Sequence, residues 1–445
     1  MIELSLLSGY ASGAIFAYRD RKAIRVEQFL RDVAQLATVL PERRHVFNLC
    51  SDRYHFVVGF CAALLKRQIS LLPPNQTSDL VTQLKKRYAD VYCLTDDASP
   101  YRNLETFFYP PMKASYPLAP SMPTIPAAQI AALVFTSGST GQPLPHEKSW
   151  RSLVRGAQAE VARLDLHAYA GMAVLGTVPP QHMYGLESSV LMAMQGGFAL
   201  HAGRPFYPAD VLTELASLPR PRCLVTTPVH LRALLSGSDD LPPVELILCA
   251  TAALTPQLAT AAEVRFAAPL YEIYGCTEAG QVATRRTVQT ADWQALPGLT
   301  LREDKQGTWV RGGHVETEVM LQDVIEIRGD EHFLLHGRSA DLVNIAGKRT
   351  SLASLNHHLN SISGVHDGAF FMPAERDGVA SRLTAFVVAP GLTRDALIAA
   401  LRERIDPAFM PRPLRLVEAL PRNATGKLPR EALSALCAAS GGSGS

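Results

Sequence analysis

Short apolar segments alternate with longer helix-forming ones along this chain, and that alternation leaves few folds open. Phe29, Val33, Leu36 and Leu40 recur at helical spacing, residues 45–49 read as a strand and residues 54–66 as an apolar helix. Residues 69–72, 79–88 and 91–94 then repeat strand, helix, strand. The pattern resumes after Trp150, with strands at 173–177, 223–226, 246–249 and 270–273 and helices between them. Strands covered by helices on both faces make parallel sheets, so the sequence predicts an α/β protein of doubly wound, mostly parallel sheets. Ligands of such sheets gather beyond the carboxyl ends of the strands, which predicts one crevice fed by loops. Residues 110–126 carry six prolines and are predicted to run as an extended surface connection.

The run Val134-Phe135-Thr136-Ser137-Gly138-Ser139-Thr140-Gly141-Gln142-Pro143 carries one strand into a loop of hydroxyls and glycines. Glycines let backbone N–H groups converge on an anion, and the hydroxyls of Thr136, Ser137, Ser139 and Thr140 add neutral donors, as a phosphate site requires. No Gly-Lys-Ser/Thr closes the loop, so it is not a Walker loop. Read alone it is equally a flexible turn. Three further segments stand beside it: Tyr274-Gly275-Cys276-Thr277-Glu278, the pair Asp323 and Arg338 fifteen positions apart, and Leu420-Pro421-Arg422-Asn423-Ala424-Thr425-Gly426-Lys427.

Together these segments resemble the signatures of the adenylate-forming superfamily of acyl-CoA synthetases, aryl-acid ligases, peptide-synthetase adenylation domains and luciferases. The resemblance covers about residues 25–435. It implies an adenylation core over residues 1–338 and a small, mobile α+β domain over 339–439 that turns about Asp341; the Ser/Gly stretch 440–445 reads as an appended linker. The implied reaction has two steps, with ATP and Mg2+ as cofactors. A carboxylic acid and ATP give acyl-AMP and pyrophosphate, and a pantetheine thiol then takes the acyl group.

The resemblance also implies roles. Thr136, Ser137, Gly138, Ser139, Thr140 and Gly141 hold phosphate, Tyr274 stacks on adenine with Gly275 beside it, Thr277 contacts the α-phosphate, and Asp323 with Arg338 serves the ribose. Glu278 holds the magnesium, Lys427 is the catalytic lysine, and Gly347 belongs to the hairpin presented to the pantetheine arm. In Pro179-Pro180-Gln181-His182-Met183-Tyr184-Gly185, His182 is expected to position and gate the reacting carboxylate; Met183, Tyr184, Ala250 and Cys276 line the acid pocket.

Departures from the family pattern are also present. Thr251 and Ala252 stand where a glycine turn usually meets adenine, Leu321-Gln322 replaces the usual Thr-Gly before Asp323, and Asn344 replaces the lysine of the thiol-step motif. The phosphate loop continues Pro143-Leu144 rather than Pro-Lys, so either Lys148 reaches the pyrophosphate or that contact is absent. No acidic residue stands in the segment from Gln181 to Tyr184, so α-amino acids are expected to be rejected and an aryl acid is favoured over a medium acyl chain. The compact outline looks similar to stand-alone ligases of aryl-polyene-type pigment pathways, and no clustered basic motif is seen for the nucleotide of coenzyme A. A carrier-protein thiol is therefore the favoured acceptor. Two other classes stay open: a degenerate nucleotide-binding regulator, and an adenylate-using oxidase of the luciferase kind.

Composition excludes other classes. A net charge of +2 without long runs of like charge argues against nucleic acid. Seven scattered cysteines without a C-x-x-C pair predict reduced thiols and no zinc site. The N-terminus carries no basic leader and no apolar run is long enough to span a bilayer, which predicts a cytoplasmic protein.

Overall fold

The computed structural model describes residues 2–73, 78–97, 104–117, 121–137, 143–237, 240–338, 341–345, 348–373, 382–423 and 426–439. Its largest elements follow the expected alternation. The helix Val26–Val39 buries Val26, Phe29, Leu30, Val33 and Leu36 at helical spacing. The helix Arg53–Leu65 is apolar on every side and correspondingly buried along almost its whole length. Its neighbours include the stacked rings of Phe16 and Phe29, against which Tyr54 packs edge-on.

Among the described residues the strands form a six-stranded and an eleven-stranded sheet, with smaller sheets beside them. In the first, Ile69–Leu72, His45–Asn48, Val91–Thr95 and Thr106–Phe108 run parallel beside Ile130–Ser137. In the second, Ala199–His201, Ala173–Gly176, Arg222–Thr226, Leu246–Cys249 and Leu270–Cys276 are parallel neighbours. The molecule is therefore α/β, as the alternation predicts.

The antiparallel additions are what the pattern does not reveal. Ile15–Arg19 and Lys22–Arg25 form a hairpin at one edge of the large sheet, turning through Asp20 and Arg21, both at positive φ. Leu299–Asp304, Gly307–Gly312 and Val315–Met320 form a separate antiparallel sheet. Within the proline-rich stretch, Thr124–Pro126 pairs with Glu3–Ser5, so its end is a short strand rather than a free connection.

From Leu342 onward the chain builds its own sheets and core. Asp367–Phe371, Thr384–Val388 and Leu414–Leu416 form one sheet, covered by the helices Leu352–Asn360 and Arg394–Arg402. Ser351 caps the first of these by accepting the Ser354 N–H, and its hydroxyl also donates to the His336 carbonyl at 2.8 Å, tying it to the preceding strand.

Candidate active site

Neighbouring parallel strands of the large sheet end side by side, and each feeds a segment singled out in the sequence. Ala173–Gly176 leads to His182, Arg222–Thr226 to Thr227, Leu246–Cys249 to Ala250 and Thr251, and Leu270–Cys276 to Thr277 and Glu278. From the other sheet, Ile130–Ser137 turns back antiparallel into Pro143–Ser149 in register Ser137 with Pro143. Thr136 sits at this hairpin's stem, its hydroxyl 3.0 Å from His146 Nε2. Gly138, Ser139, Thr140 and Gly141 lie outside the described residues, as does Gly347.

Tyr274 to Glu278 form the end of one strand and the turn into its antiparallel partner Gly280–Arg285. Gly275 is obligatory there, since a Cβ would sit 2.4 Å from the Gly280 carbonyl oxygen. The Tyr274 ring packs near Trp293 and Phe333, and its hydroxyl donates to Asp323 at 2.7 Å. The fifteen positions between Asp323 and Arg338 also find their meaning: the two are ladder partners across one antiparallel hairpin. Thr251 adopts φ +83°, a left-handed conformation that a β-branched residue pays for with roughly 1–2 kcal/mol. Glycine would adopt this conformation without that cost; Ala252 follows it in the same bend.

Glu278 leaves its carboxylate partly open to solvent, 3.8 Å from His146 Nε2. Its backbone carbonyl accepts a 2.7 Å hydrogen bond from Lys148 Nζ. Lys148 is 4 % exposed, so its ammonium faces inward, among Glu187, Cys276, Glu278 and Glu316, instead of reaching out beyond the loop. Among the described residues no three His, Cys, Asp or Glu side chains gather as metal ligands. A single carboxylate still fits Mg2+, which keeps most of its waters and takes further oxygens from phosphate.

The acid segment continues from His182 through a helical turn, Met183–Gly185, into a π-helical stretch, Leu186–Leu191. Such π turns are often found at functional sites. Met183, Tyr184 and Ala250 are buried, and Cys276 is partly so, its sulfur accepting the Ala279 N–H at 3.4 Å. The Tyr184 phenol donates to the Thr226 carbonyl at 3.2 Å. Burial, with Lys427 nearby, lowers the His182 imidazole to about 4, so it is neutral at physiological pH.

Lys427 arrives from the C-terminal body on a pinned turn. Its N–H donates to Asn423 Oδ1 at 2.9 Å and its carbonyl accepts the Asn423 N–H at 2.8 Å. Arg422 grips Asp367 with two hydrogen bonds, at 2.7 and 2.8 Å, and spans to the Gly426 carbonyl at 2.8 Å. Gly426, at φ +76°, lies close against Val229 and Thr227 of the large body. Arg232, on the neighbouring helix Pro228–Gly237, is largely buried beside Asp367 and Arg422. Asp341 occupies the stretch between the two bodies.

Several residues at this site carry no motif. Arg53 is fully buried, and its guanidinium donates to the carbonyls of Gly176 at 2.7 Å and Val178 at 3.1 Å and to the Ser189 hydroxyl. It thereby ties both ends of the acid segment together, although burial lowers its pKa to about 9. Glu160, near the Tyr184 phenol, and Glu187 are buried, and desolvation raises their carboxyls to about 7 and about 8, with Lys148 partly offsetting the second. Side-chain hydrogen bonds from Ser188 and Gln281 offset part of the Glu160 rise.

A carboxyl whose pKa is raised on folding stabilises the fold below its unfolded value and loses that contribution as pH climbs through the folded one. For Glu160 the window runs from 4.5 to about 7. Glu160→Gln, which cannot ionise, is expected to flatten this part of the decline, by up to about 3 kcal/mol at pH 8 relative to pH 4.5. Chemical denaturation of both proteins across that range checks it; parallel pH profiles would show that Glu160 does not hold its proton.

Comparisons with known proteins identify the family. The AMP-binding enzyme family matches residues 34–312, and the AMP-binding enzyme C-terminal domain matches residues 357–427. A 4-coumarate–CoA ligase from Rhodobacter capsulatus is 28 % identical over 305 residues, covering 67 % of this chain and 75 % of the relative. Among solved structures, ATP-bound MatB from Rhodopseudomonas palustris superposes with a TM-score of 0.81 at 17 % identity, over 95 % of this chain and 96 % of that one. The o-succinylbenzoate CoA synthetase of Bacillus subtilis, in complex with its acyl-adenylate intermediate, gives 0.79 at 18 % identity, over 97 % and 98 %. These two likenesses concern the fold. Among the described residues no helix is long and apolar enough to cross a membrane.

Proposed function

The chain belongs to the AMP-binding enzyme family and is an AMP-forming acid–thiol ligase, and from that premise we propose how its residues divide the work. ATP and a carboxylic acid react to give acyl-AMP and pyrophosphate, and a thiol then accepts the acyl group. Lys427 is the catalytic cation of the first step. Carboxylate and α-phosphate repel each other, so a cation shared between them stabilises the transition state more than the separated reactants. The observation that carries this reading is the docking of the Lys427 turn beside His182, with Gly426 against Val229. His182, being neutral, adds no second charge and positions the acid by shape and hydrogen bonding.

Tyr274 and Asp323 receive adenine and ribose, which their mutual hydrogen bond supports by setting the two groups side by side. Thr277 serves the α-phosphate, the loop from Thr136 to Gly141 the remaining phosphates, and Glu278 the Mg2+ that offsets their charge. Residues 1–338 act as one body and 339–439 as a second that turns about Asp341 after adenylation, withdrawing Lys427 and bringing up Gly347. The acid is an aryl acid, set against the apolar wall of Met183, Tyr184, Ala250 and Cys276. The acceptor is a pantetheine thiol, and we favour one carried by a protein in the cytoplasm.

Acid-dependent pyrophosphate exchange across a panel of aryl, acyl and amino acids tests the first step. Transfer to coenzyme A and to a phosphopantetheinylated carrier protein, run in parallel, tests the second. Exchange with fatty acids alone would overturn the aryl reading, and transfer to coenzyme A alone the carrier reading.

The Arg422 grip adds a separable expectation. Arg422→Met frees the Lys427 turn from Asp367, and displacements of about 1 Å at a reacting group lower rates roughly 100-fold. Pyrophosphate exchange is expected to fall by that order while thioester formation from supplied acyl-AMP holds. Equal loss in both half-reactions would assign Arg422 to folding alone.

A further inference from the structure

The turn that presents Thr277 and Glu278 is braced by two buried side chains that no step above uses. It joins the strands Leu270–Cys276 and Gly280–Arg285 of the eleven-stranded sheet, with Cys276 opposite Gly280. One brace comes from the strand Pro143–Ser149 of the six-stranded sheet, the other from the π-helical stretch Leu186–Leu191 that continues the acid segment.

Side chains alternate along a strand, so Leu144, His146 and Lys148 share one face of Pro143–Ser149. His146 comes within 3.8 Å of the Glu278 carboxylate, and Lys148 Nζ donates to the Glu278 carbonyl at 2.7 Å. One strand face thus meets the same residue twice, at its side chain and at its backbone. The Lys148 bond crosses from one sheet to the other. Lys148 follows Leu144 by four residues, about 13 Å at the ~3.3 Å rise of a strand, which sets it well down the stem from the phosphate loop.

Glu187 is the seat of this lysine. Of the groups around the Lys148 ammonium it acts most strongly in favour of the charge, and Lys148 in turn opposes the effect of burial on the Glu187 carboxyl. Glu187 also reaches the turn itself. A Cβ on Gly280, whose φ is +80°, would lie 2.7 Å from Glu187 Oε1, so only glycine admits that oxygen. The same oxygen accepts the Gln281 N–H at 3.4 Å, and Gln281 Nε2 donates to the neighbouring Ser188 hydroxyl at 2.8 Å.

We propose that Lys148, seated on Glu187, is a positioning residue for Glu278: it fixes the backbone of the metal-binding turn from the opposite sheet and so pre-sets the carboxylate for Mg2+. This rests on the reading of Glu278 as the magnesium ligand. Groups bonded behind a metal ligand hold it in place, and their removal typically costs about 10-fold to 100-fold in metal affinity or activity.

The test is calorimetric titration with the acid omitted, so that no adenylate forms. MgATP, metal-free ATP in the presence of chelator, and AMP are each titrated into the wild type, Lys148→Met and the double variant Lys148→Met/Glu187→Gln. Both variants are expected to lose roughly tenfold in affinity for MgATP while binding metal-free ATP and AMP within about twofold of the wild type. Methionine keeps the length of lysine. The double variant removes both members of the buried pair, which is tolerated better than stranding one of them, so it carries the test where the single variant does not fold. Equal loss for MgATP and metal-free ATP, with AMP spared, would mean that Lys148 touches phosphate directly and would overturn the assignment. Equal loss for all three ligands would reduce Lys148 to a folding role, and a wild-type preference for MgATP kept in both variants would likewise refute it. A wild type that binds ATP equally well with and without metal would remove the reading of Glu278 itself, and this inference with it.

Discussion

Lys427→Ala is expected to slow acyl-AMP formation by roughly two to three orders of magnitude, the loss typical of one preorganised donor at a developing charge. The turn that carries the residue is held by Asn423, Arg422 and Asp367 through contacts that do not involve the ammonium. Truncating the side chain should therefore leave the loop in place and remove only the cation. Because His182 is held neutral partly by that cation, the variant should also let the imidazole titrate at higher pH. Two measurements check this. Single-turnover adenylation should collapse while thioester formation from supplied acyl-AMP stays near the wild-type rate, and equal damage to both would reject the role.

Rejection of α-amino acids is the second large effect expected. An α-ammonium would lie next to the reacting carboxylate, in the segment where Gln181 is already bonded to the Cys50 carbonyl and His182 is uncharged. No acidic residue stands from Gln181 to Tyr184, and the cation of Lys427 lies near His182. Of the buried acids nearby, Glu187 already has the Lys148 cation beside it, and desolvation holds Glu160 towards its neutral form. An ammonium left unpaired in such surroundings costs several kcal/mol, or roughly 100-fold to 1,000-fold in efficiency. Phenylalanine against 3-phenylpropanoate, and tyrosine against its deaminated counterpart, isolate that charge. Comparable exchange within either pair would show that a counter-charge has been overlooked.

What could be read in the sequence follows from what leaves a local mark. Parallel strands buried on both faces are continuous apolar runs, so 246–249 and 270–273 were found within a few residues of their observed ends. The antiparallel sheet from Leu299 to Met320 leaves no such mark, because its strands carry charged, exposed residues such as Glu303 and Glu318. Motif residues such as Tyr274, Asp323 and Lys427 were legible through their neighbours in sequence. Arg53 and Glu187 were not, since a charge inside a helix does not announce which way it faces. Glu160 did leave a trace: it falls in phase with the buried Leu153 and Ala157. Lys148 stands out in the sequence as a cation after the loop, but only the folded hairpin reveals that it turns inward to the Glu278 carbonyl.

The meeting of Arg232, Arg422 and Asp367 bears on how the cycle advances. Two cations share one anion where the Lys427 turn rests on the large body, so the seam carries excess positive charge. Like charges gathered around a single counter-charge make a shallow energy well. In the proposed cycle, a bound triphosphate would deepen it through Lys427, and departing pyrophosphate would remove that negative charge, so product exit would favour undocking without a separate trigger.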